Sequence, residues 1–505
     1  MSISSGRYGF WGGFWGQTPN RGLTPIPTPI LLMALIWGLT PMVPVAAAAP
    51  MGLPDEVREA LHQAGIPMQS VAIVVQEVSA PAPKIKWNGQ LALNPASLMK
   101  LVTTYSAIKA LGPTATWRTE IRGPEPVNGI ITGDVVVVGG GDPRLTFEDW
   151  GSLLRALRIR GVKEIRGNLL LDQSRFQINP PGADEFDHQG YRAYNAAPAA
   201  LLVGFRAITL TLNVADSGVM ALPNFDLPNV HIENHLLLKK SKTGLCPADW
   251  KSALTQQVVD NGQEATITLS GELEASCDQK TLAYSVLTNT RFIEGVFRKV
   301  WGELGGVISG TVQEGLVAPN TPLLVSHESP PLMALIQEMN KFSNNVMARM
   351  LYLDLGWSEN AGSSTPETSK QRVQSILAQE GLQFPELVLE NGAGLSRKER
   401  ISAENLNKIL NKAAKSPYWA EFMASLPIAG QDGTAKAHLG TDNDLEGRFH
   451  LKTGSLEGVK GYAGYGLTHN GKWVSVVFLV NHPQAGNAGP AQNALLRWIK
   501  GSLKQ

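Results

Sequence analysis

Asn94-Pro-Ala-Ser-Leu-Met-Lys-Leu-Val-Thr-Thr104 is the stretch of sequence that decides the fold of this chain. Apolar residues recur through it at the spacing of one helical face, and Gly112-Pro113 ends the pattern. Ser97 and Lys100 are then one turn apart at a helix start. A serine hydroxyl needs a neighbouring base, and free N–H groups at a helix start favour a developing anion. The stretch therefore predicts a nucleophile, Ser97, with Lys100 as its base.

Two later motifs extend this prediction, Ser343-Asn-Asn345 and Lys452-Thr-Gly454. With Ser-x-x-Lys they match the motif set of acyl-transferring serine enzymes. Each motif alone is weak, because second copies occur at Ser106-Ala-Ile-Lys109, Ser358-Glu-Asn360 and Lys242-Thr-Gly244. Context favours Ser97 and Lys452, since the Ser106 copy lies mid-helix, where the N–H groups are already bonded, and the Lys242 copy lies in a turn-rich segment. Between Ser343 and Ser358 context alone leaves the choice open, although the polar loop around Ser358 gives a catalytic hydroxyl less rigid support.

The two ends of the sequence predict an antiparallel sheet with helices. Segments rich in β-branched and aromatic residues lie at 70–76, 449–453, 462–466 and 473–480, and a closing amphipathic helix is expected at 491–503. The Lys452 motif then lies on a strand. An edge strand beside a nucleophile can bind an extended peptide, and Gly454 would leave room for its backbone. The last three of these strands therefore predict an antiparallel sheet near the end of the sequence.

The segments around the three motifs resemble the class C low-molecular-mass penicillin-binding proteins, the D-alanyl-D-alanine carboxypeptidases and endopeptidases of the penicillin-binding protein 4 type (peptidase family S13). The segments that carry this resemblance are 94–104, 339–345, 426–434 and 450–456. It runs from about residue 51 to the C-terminus. It implies an α/β fold in which helices flank an antiparallel sheet, that of a penicillin-binding/β-lactamase-like transpeptidase domain. Such a domain is expected to act on peptidoglycan stem peptides, to be inhibited by β-lactam antibiotics and to use no metal or other cofactor.

The same resemblance assigns roles to individual residues. Ser97 is expected to form an acyl-enzyme with Lys100 as base, and Ser343 to relay the proton to the leaving amine. The backbone N–H groups of Ser97 and Ser455 are expected to form the oxyanion hole. The expected catalytic residues are Ser97, Lys100 and Ser343, and the expected substrate-binding residues are Asn345, Lys452, Thr453, Gly454 and Ser455.

The resemblance also predicts the domains. The transpeptidase-like domain is expected in two parts, 51–117 and 321–505, because a long stretch separates Ser97 from Ser343. Between the two parts, 118–320 reads as short β segments with turn residues, which predicts inserted β-rich domains with a nested insert at about 143–216.

The first 49 residues predict a secretory signal. Two arginines are their only charges, and a short apolar run is followed by four alanines, Ala46 to Ala49. We expect cleavage and a periplasmic protein with at most a loose membrane association; an uncleaved anchor is the alternative. Export makes a disulfide between Cys246 and Cys277 the expected state of the two cysteines. The net charge of +1 gives no reason to expect a nucleic-acid partner.

Three segments depart from the family pattern. Asn391 and Ala393 stand where Asp and Ser are expected in an Asp-Gly-Ser-Gly-Leu-Ser pattern, and Arg349 stands where an acidic residue is frequent. The segment 434–438 is less basic than its counterparts. Since none of the three lies within a motif, we expect them to affect fine specificity and to leave the motifs untouched.

Two other functions fit the same motifs. A non-catalytic penicillin-binding sensor or scaffold would keep the reactive serine without releasing D-alanine, and a β-lactamase would turn penicillins over rapidly. A zinc site at His231 and His235 is disfavoured, because the pattern is not His-Glu-x-x-His and lacks an evident third ligand.

Overall fold

The computed structural model describes residues 51–179, 186–240, 244–436 and 445–501. The predicted signal at 1–49 and residues 242–243 of the second Lys-Thr-Gly copy lie outside the described residues. The helices are α1 (Asp55–Gln63), α2 (Met99–Leu111), α3 (Phe147–Ile159), α4 (Asn289–Glu303), α5 (Leu332–Phe342), α6 (Asn345–Gly356), α7 (Pro366–Gln379), α8 (Ala403–Ala414), α9 (Trp419–Ala424) and α10 (Gly489–Gly501).

The strands are numbered along the same chain. They are β1 (Val71–Glu77), β2 (Ile85–Trp87), β3 (Ala92–Leu93), β4 (Arg118–Arg122), β5 (Ile130–Ile131), β6 (Val135–Val138), β7 (Glu164–Ile165), β8 (Leu169–Asp172), β9 (Ile208–Ala215), β10 (Gly218–Pro223), β11 (Val230–Lys239), β12 (Leu254–Asp260), β13 (Ala265–Glu274), β14 (Lys280–Tyr284), β15 (Val307–Ile308), β16 (Val312–Glu314), β17 (Leu323–Glu328), β18 (Ile401–Ser402), β19 (Phe449–Leu456), β20 (Val459–Leu467) and β21 (Trp473–Asn481).

The central sheet joins the two ends of the chain. Its strand order is β19-β20-β21-β1-β2, and every pair is antiparallel. Along β1 the side chains alternate between faces, as a strand requires. Ala72 and Val74 pack in the core that contains α2, whereas Val71, Ile73 and Val75 pack in the core that contains α1 and α10. Helices therefore cover the sheet on both sides, and both of its faces are buried.

The middle of the chain builds separate sheets with a core of their own. A five-stranded sheet has the order β16-β8-β6-β4-β17, and two three-stranded sheets have the orders β10-β9-β14 and β11-β13-β12. The bounds predicted for the nested insert, about 143–216, do not coincide with a separate sheet. Strands β8 and β9 lie within those bounds, but β8 pairs with β6 and β16, and β9 pairs with β10 and β14, which all lie outside them. Residues 208–284 form the two smaller sheets instead. Strand β17 belongs to the five-stranded sheet and ends at Glu328, beyond residue 320. We call residues 118–328 the insert.

Two helices in the insert were not expected from its β-rich texture. The capping box of Thr146 and Asp149 starts α3, which buries Trp150, Leu153 and Leu157 on one face. Helix α4 likewise buries one apolar face. Their apolar residues recur at the helical period rather than the strand period, so that each helix has one apolar face. These faces pack into the core of the insert. The insert also contains the Cys246–Cys277 disulfide.

No helix in the described part of the chain is both long and apolar enough to cross a membrane.

Candidate active site

The turn that carries Ser97 is held by Asn94. A single 3₁₀ turn, Ala96–Leu98, leads into α2, and Ala96 has a φ of +47°, which a residue with a side chain rarely adopts. The Asn94 side chain accepts a hydrogen bond from the Ala96 N–H (2.9 Å) and donates one to the Ser396 carbonyl (2.7 Å). These bonds fix the strained turn and therefore the position of the Ser97 hydroxyl.

Lys100 is fully buried beside that hydroxyl. Its Nζ lies 3.0 Å from Ser97 Oγ, 2.6 Å from Asn345 Oδ1 and 2.6 Å from the Ala393 carbonyl. Burial lowers the pKa of Lys100 well below the usual 10.5, and the charges of Lys452 and Arg349 lower it further, whereas Glu399 opposes them. Burial and the neighbouring positive charges therefore favour the neutral amine form of Lys100.

Ser343 lies at the break between two helices. It has a φ of +57°, just after α5, and Asn344 caps α6 by accepting a hydrogen bond from the Met347 N–H (3.1 Å). The Ser343 hydroxyl accepts a hydrogen bond from Lys452 Nζ (2.8 Å). The break directs Ser343 and Asn345 into the same site, where Ser343 contacts Lys452 and Asn345 contacts Lys100.

Strand β19 forms the edge of the central sheet beside these residues. Lys452 is fully buried, and burial lowers its pKa to about 7. On the opposite face of the strand, Thr453 Oγ1 donates to Thr434 Oγ1 (2.6 Å), and Ser455 is exposed. All eight residues predicted from the motifs lie on the elements that meet here.

Gly454 lies where β19 closely approaches the turn that carries Ser97. A Cβ at this position would lie 2.7 Å from the Pro95 carbonyl and 3.2 Å from the Leu98 side chain. Glycine is therefore needed here for the packing of β19 on that turn, and the room that it would leave for a peptide backbone stays a prediction.

The loop between α7 and α8 also belongs to the site, and motif analysis missed this. Its Ala393 carbonyl accepts from Lys100, and a Cβ on Gly394 would lie 1.8 Å from the Ala96 carbonyl. Buried Glu399 shapes the loop, since its Oε1 accepts three backbone N–H groups, those of Glu390, Asn391 and Gly392 (3.0–3.1 Å). No sequence motif marks these contacts. The only signal in the sequence is that Asn391 and Ala393 of this loop depart from the family pattern.

The expectation that the three departures leave the motifs untouched is wrong. Ala393 accepts a hydrogen bond from Lys100, Thr434 is bonded to Thr453, and the charge of Arg349 lowers the pKa of Lys100. The motifs are separated from these residues along the chain but not in space.

The second copies of the motifs lie elsewhere. Ser106 is buried on α2, and its hydroxyl has no hydrogen-bond partner among the described residues. Ser358 is exposed after α6. His231 and His235 lie on strand β11 rather than on a helix. Within the described ranges, no group of three or more His, Cys, Asp or Glu side chains is arranged to hold a metal ion.

A cavity of about 650 Å³ adjoins the loop that holds Lys100. Asn391 and Arg397 of that loop line one side, Arg349 and Tyr352 of α6 line another, and Phe186 belongs to the insert. The insert thus contributes a wall next to the candidate site.

The fold is that of a penicillin-binding protein. The chain resembles the crystal structure of penicillin-binding protein 4 (dacB) from Haemophilus influenzae with a TM-score of 0.72 and 23% identity, over 89% of this chain and 100% of that chain. The same protein complexed with a novel β-lactam gives a TM-score of 0.69, with 23% identity over 88% of this chain and 99% of that chain. The predicted α/β fold is therefore confirmed.

Residues 53–500 match the D-Ala-D-Ala carboxypeptidase 3 (S13) family, and the chain belongs to that family. It is accordingly a hydrolase with carboxypeptidase activity. A D-alanyl-D-alanine carboxypeptidase of Actinomadura sp. (strain R39) is 26% identical over 94% of this chain and 89% of its own length. The D-alanyl-D-alanine carboxypeptidase DacB of Haemophilus influenzae is 26% identical over 79% of this chain and 83% of its own length. The predicted family is confirmed.

Proposed function

We propose that this protein is a periplasmic serine-type D-alanyl-D-alanine carboxypeptidase, and an endopeptidase, that acts on peptidoglycan stem peptides through an acyl-enzyme on Ser97 and is inhibited by β-lactams. The observation that carries the proposal is the arrangement around Lys100. A neutral amine has two N–H groups and one lone pair. The Asn345 and Ala393 oxygens, both at 2.6 Å, accept the two hydrogens, which leaves the lone pair for the Ser97 hydroxyl at 3.0 Å.

Acylation then proceeds through these contacts. Lys100 takes the Ser97 proton as Oγ attacks the carbonyl carbon of the penultimate D-alanine. The oxygen of the tetrahedral intermediate is stabilised by the backbone N–H groups of Ser97 and Ser455. Ser343 passes a proton to the leaving amine and recovers one from Lys452, whose Nζ is 2.8 Å from its hydroxyl. Water then hydrolyses the acyl-enzyme: Lys100 returns its proton to Ser97 Oγ, and the proton that the attacking water gives up restores Lys452, so that both lysines end the cycle as they began it.

The edge strand β19 would bind the end of the substrate. An extended peptide can add to an unpaired strand edge through backbone hydrogen bonds. Thr453 and Ser455 leave the same face of β19, and their hydroxyls would donate to a terminal carboxylate. The Thr453 hydroxyl would do so by turning from Thr434 Oγ1, to which it donates in this structure. Lys452 lies on the other face, so that its contribution to this carboxylate is electrostatic. Asn345 would bind the substrate amide.

The test of this proposal is the Ser97→Ala variant. It should lose labelling by a fluorescent penicillin and should release D-alanine from a pentapeptide at least about 1,000-fold more slowly. The matched control is Ser106→Ala, which removes a buried hydroxyl without a hydrogen-bond partner from the same helix. The control should keep both activities. Labelling that persists in Ser97→Ala and disappears in Ser106→Ala would refute the assignment.

The wild-type protein separates the rival functions. Penicillin labelling without D-alanine release would indicate a sensor or scaffold. Rapid and repeated hydrolysis of penicillin, instead of a lasting acyl-enzyme, would indicate a β-lactamase.

A further inference from the structure

Helix α6 connects the candidate site to the insert through two side chains on one face. Asn345, which contacts Lys100, and Arg349 are four residues apart and therefore neighbours on the helix surface. The Asn345 amide donates to the Tyr194 carbonyl (3.4 Å), and Arg349 Nη1 donates to the Ala196 carbonyl (3.1 Å). The first turns of α6 are thus tied to one short segment of the insert, which fixes the helix that presents Asn345.

Arg349 has no carboxylate partner among the described residues, although it is largely buried. The charged group that acts on it is another cation, Arg206, and burial lowers the pKa of Arg349 to about 10. Arg349 is therefore still charged at neutral pH. The acidic groups of the adjoining cavity are paired with other cations, Glu390 with Lys398 (3.2 Å) and Glu367 with Lys370 (3.7 Å). Among the residues that the structure describes, the charge of Arg349 is consequently uncompensated.

Charged groups from three elements act on Lys100. Lys452 lies on β19, Glu399 on the loop that accepts from Lys100, and Arg349 on α6. Arg349 is positive throughout, Lys452 is positive only below its pKa of about 7, and Glu399 is the acidic group among the three. In this setting a positive charge on α6 opposes the addition of a proton to Lys100. Without the Arg349 charge, only Lys452 would oppose the effect of Glu399, and the pKa of Lys100 would rise.

We propose that Arg349 is a positioning residue for acyl transfer: it ties the Asn345 turn of α6 to the insert, and its uncompensated charge keeps Lys100 in the form that accepts the Ser97 proton. This inference rests on the proposed function. The geometry that supports it is the chain of contacts from Arg349 and Asn345 to the insert and from Asn345 to Lys100.

The test is the pH profile of acylation by a fluorescent penicillin in the full-length protein. In wild type the acylation rate should fall as pH decreases, because Lys100 becomes protonated. Arg349→Met should move this falling limb upward by about one pH unit, the size expected for loss of one nearby charge at an effective dielectric constant near 20. Arg349→Glu should move it further. Arg349→Lys keeps the charge and should leave the limb in place.

The control is Arg372→Met, which removes an exposed guanidinium from α7 and should not move the limb. Melting curves establish that each variant is folded, and Arg349→Gln replaces any variant that is not. If the neutral variants acylate more slowly at every pH while the limb stays in place, Arg349 is only structural and the inference is wrong. A wild-type protein that is not acylated refutes the proposed function itself, whereas a wild-type profile without a falling limb refutes the inference alone.

Discussion

At the scale of single residues, two buried lysines distinguish this site. Lys100 and Lys452 are fully buried, and neither has a carboxylate within ion-pair distance in the described part of the chain. Their Nζ atoms contact hydroxyl, amide and carbonyl oxygens instead. Burial of an ammonium group in such surroundings favours the neutral form. The chemistry of the site therefore opposes the stability of the fold, as is common in active sites.

Replacing Lys452 should reveal this conflict. Its pKa is about 7 in the folded protein against 10.5 in the unfolded chain, so the unfolded chain binds more protons between these values and stability rises with pH. The penalty for burying Lys452 is complete below pH 7 and absent above about pH 10.5. Lys452→Met should raise the melting temperature at pH 6 by at least about 3 °C, lose most D-alanine release, and gain less stability at pH 9.5.

Calorimetry at the two pH values checks this prediction. Lys239→Met is the control, since that lysine is exposed and pairs with Glu272 on the surface of the insert. A gain in melting temperature for Lys452→Met that is the same at both pH values, or no gain, would contradict the proposed cause.

At the scale of elements, the turn that carries Ser97 depends on a loop far away in the chain. The loop that contains Gly394 packs against the Ala96 carbonyl so closely that no side chain fits, and Gly394 has a φ of +82°. The same loop supplies the Ala393 carbonyl to Lys100. The nucleophile and its base are therefore positioned together by one loop, which Glu399 holds in shape.

Gly394→Ala should displace this loop and impair the site. We expect a loss of roughly 2–4 kcal/mol in stability and a decrease of at least about 100-fold in the rate of penicillin acylation. Gly302→Ala on α4 is the matched control, since no atom lies within 4 Å of its added Cβ and alanine favours a helix. Acylation at the wild-type rate in Gly394→Ala would show that the loop does not position Ser97 and Lys100.

At the scale of the whole molecule, the insert is both a separate core and a neighbour of the site. Its strands and helices bury their own apolar residues, whereas a small cluster that includes Phe176, Val346 and Met350 joins it to α6. Cys246 and Cys277 are linked across 31 residues and pack in the core of the insert, and neither is close to a motif along the chain. The disulfide should therefore act on the stability of the insert more than on catalysis.

Mass mapping of protein from an oxidising compartment should find the Cys246–Cys277 link. Replacing both cysteines with serine should cost roughly 3–4 kcal/mol by the loop-entropy argument and should make the insert more sensitive to proteases. D-alanine release at a temperature where the variant is folded should change less than twofold. Free thiols that can be alkylated without a reductant, or a large loss of activity in folded protein, would contradict this.

The sequence by itself predicted the parts of the molecule whose signals are local. Lys100 follows Ser97 by one helical turn, and the strands of the central sheet are short segments rich in β-branched and aromatic residues. Each signal depends on residue type and short spacing, which a sequence contains directly. The same reasoning missed α3 and α4, because their helical period was overlooked among short β segments.

Only the tertiary structure decided which distant groups complete the site. Lys100 is separated from Asn345 by 245 residues and from Ala393 by 293. The Ala393, Tyr194 and Ala196 groups in these contacts are backbone carbonyls, which every residue possesses. No residue type identifies them, so a pattern in the sequence cannot predict them. They act here because the fold brings a strained turn, a loop and an insert together around a lysine that is kept from water.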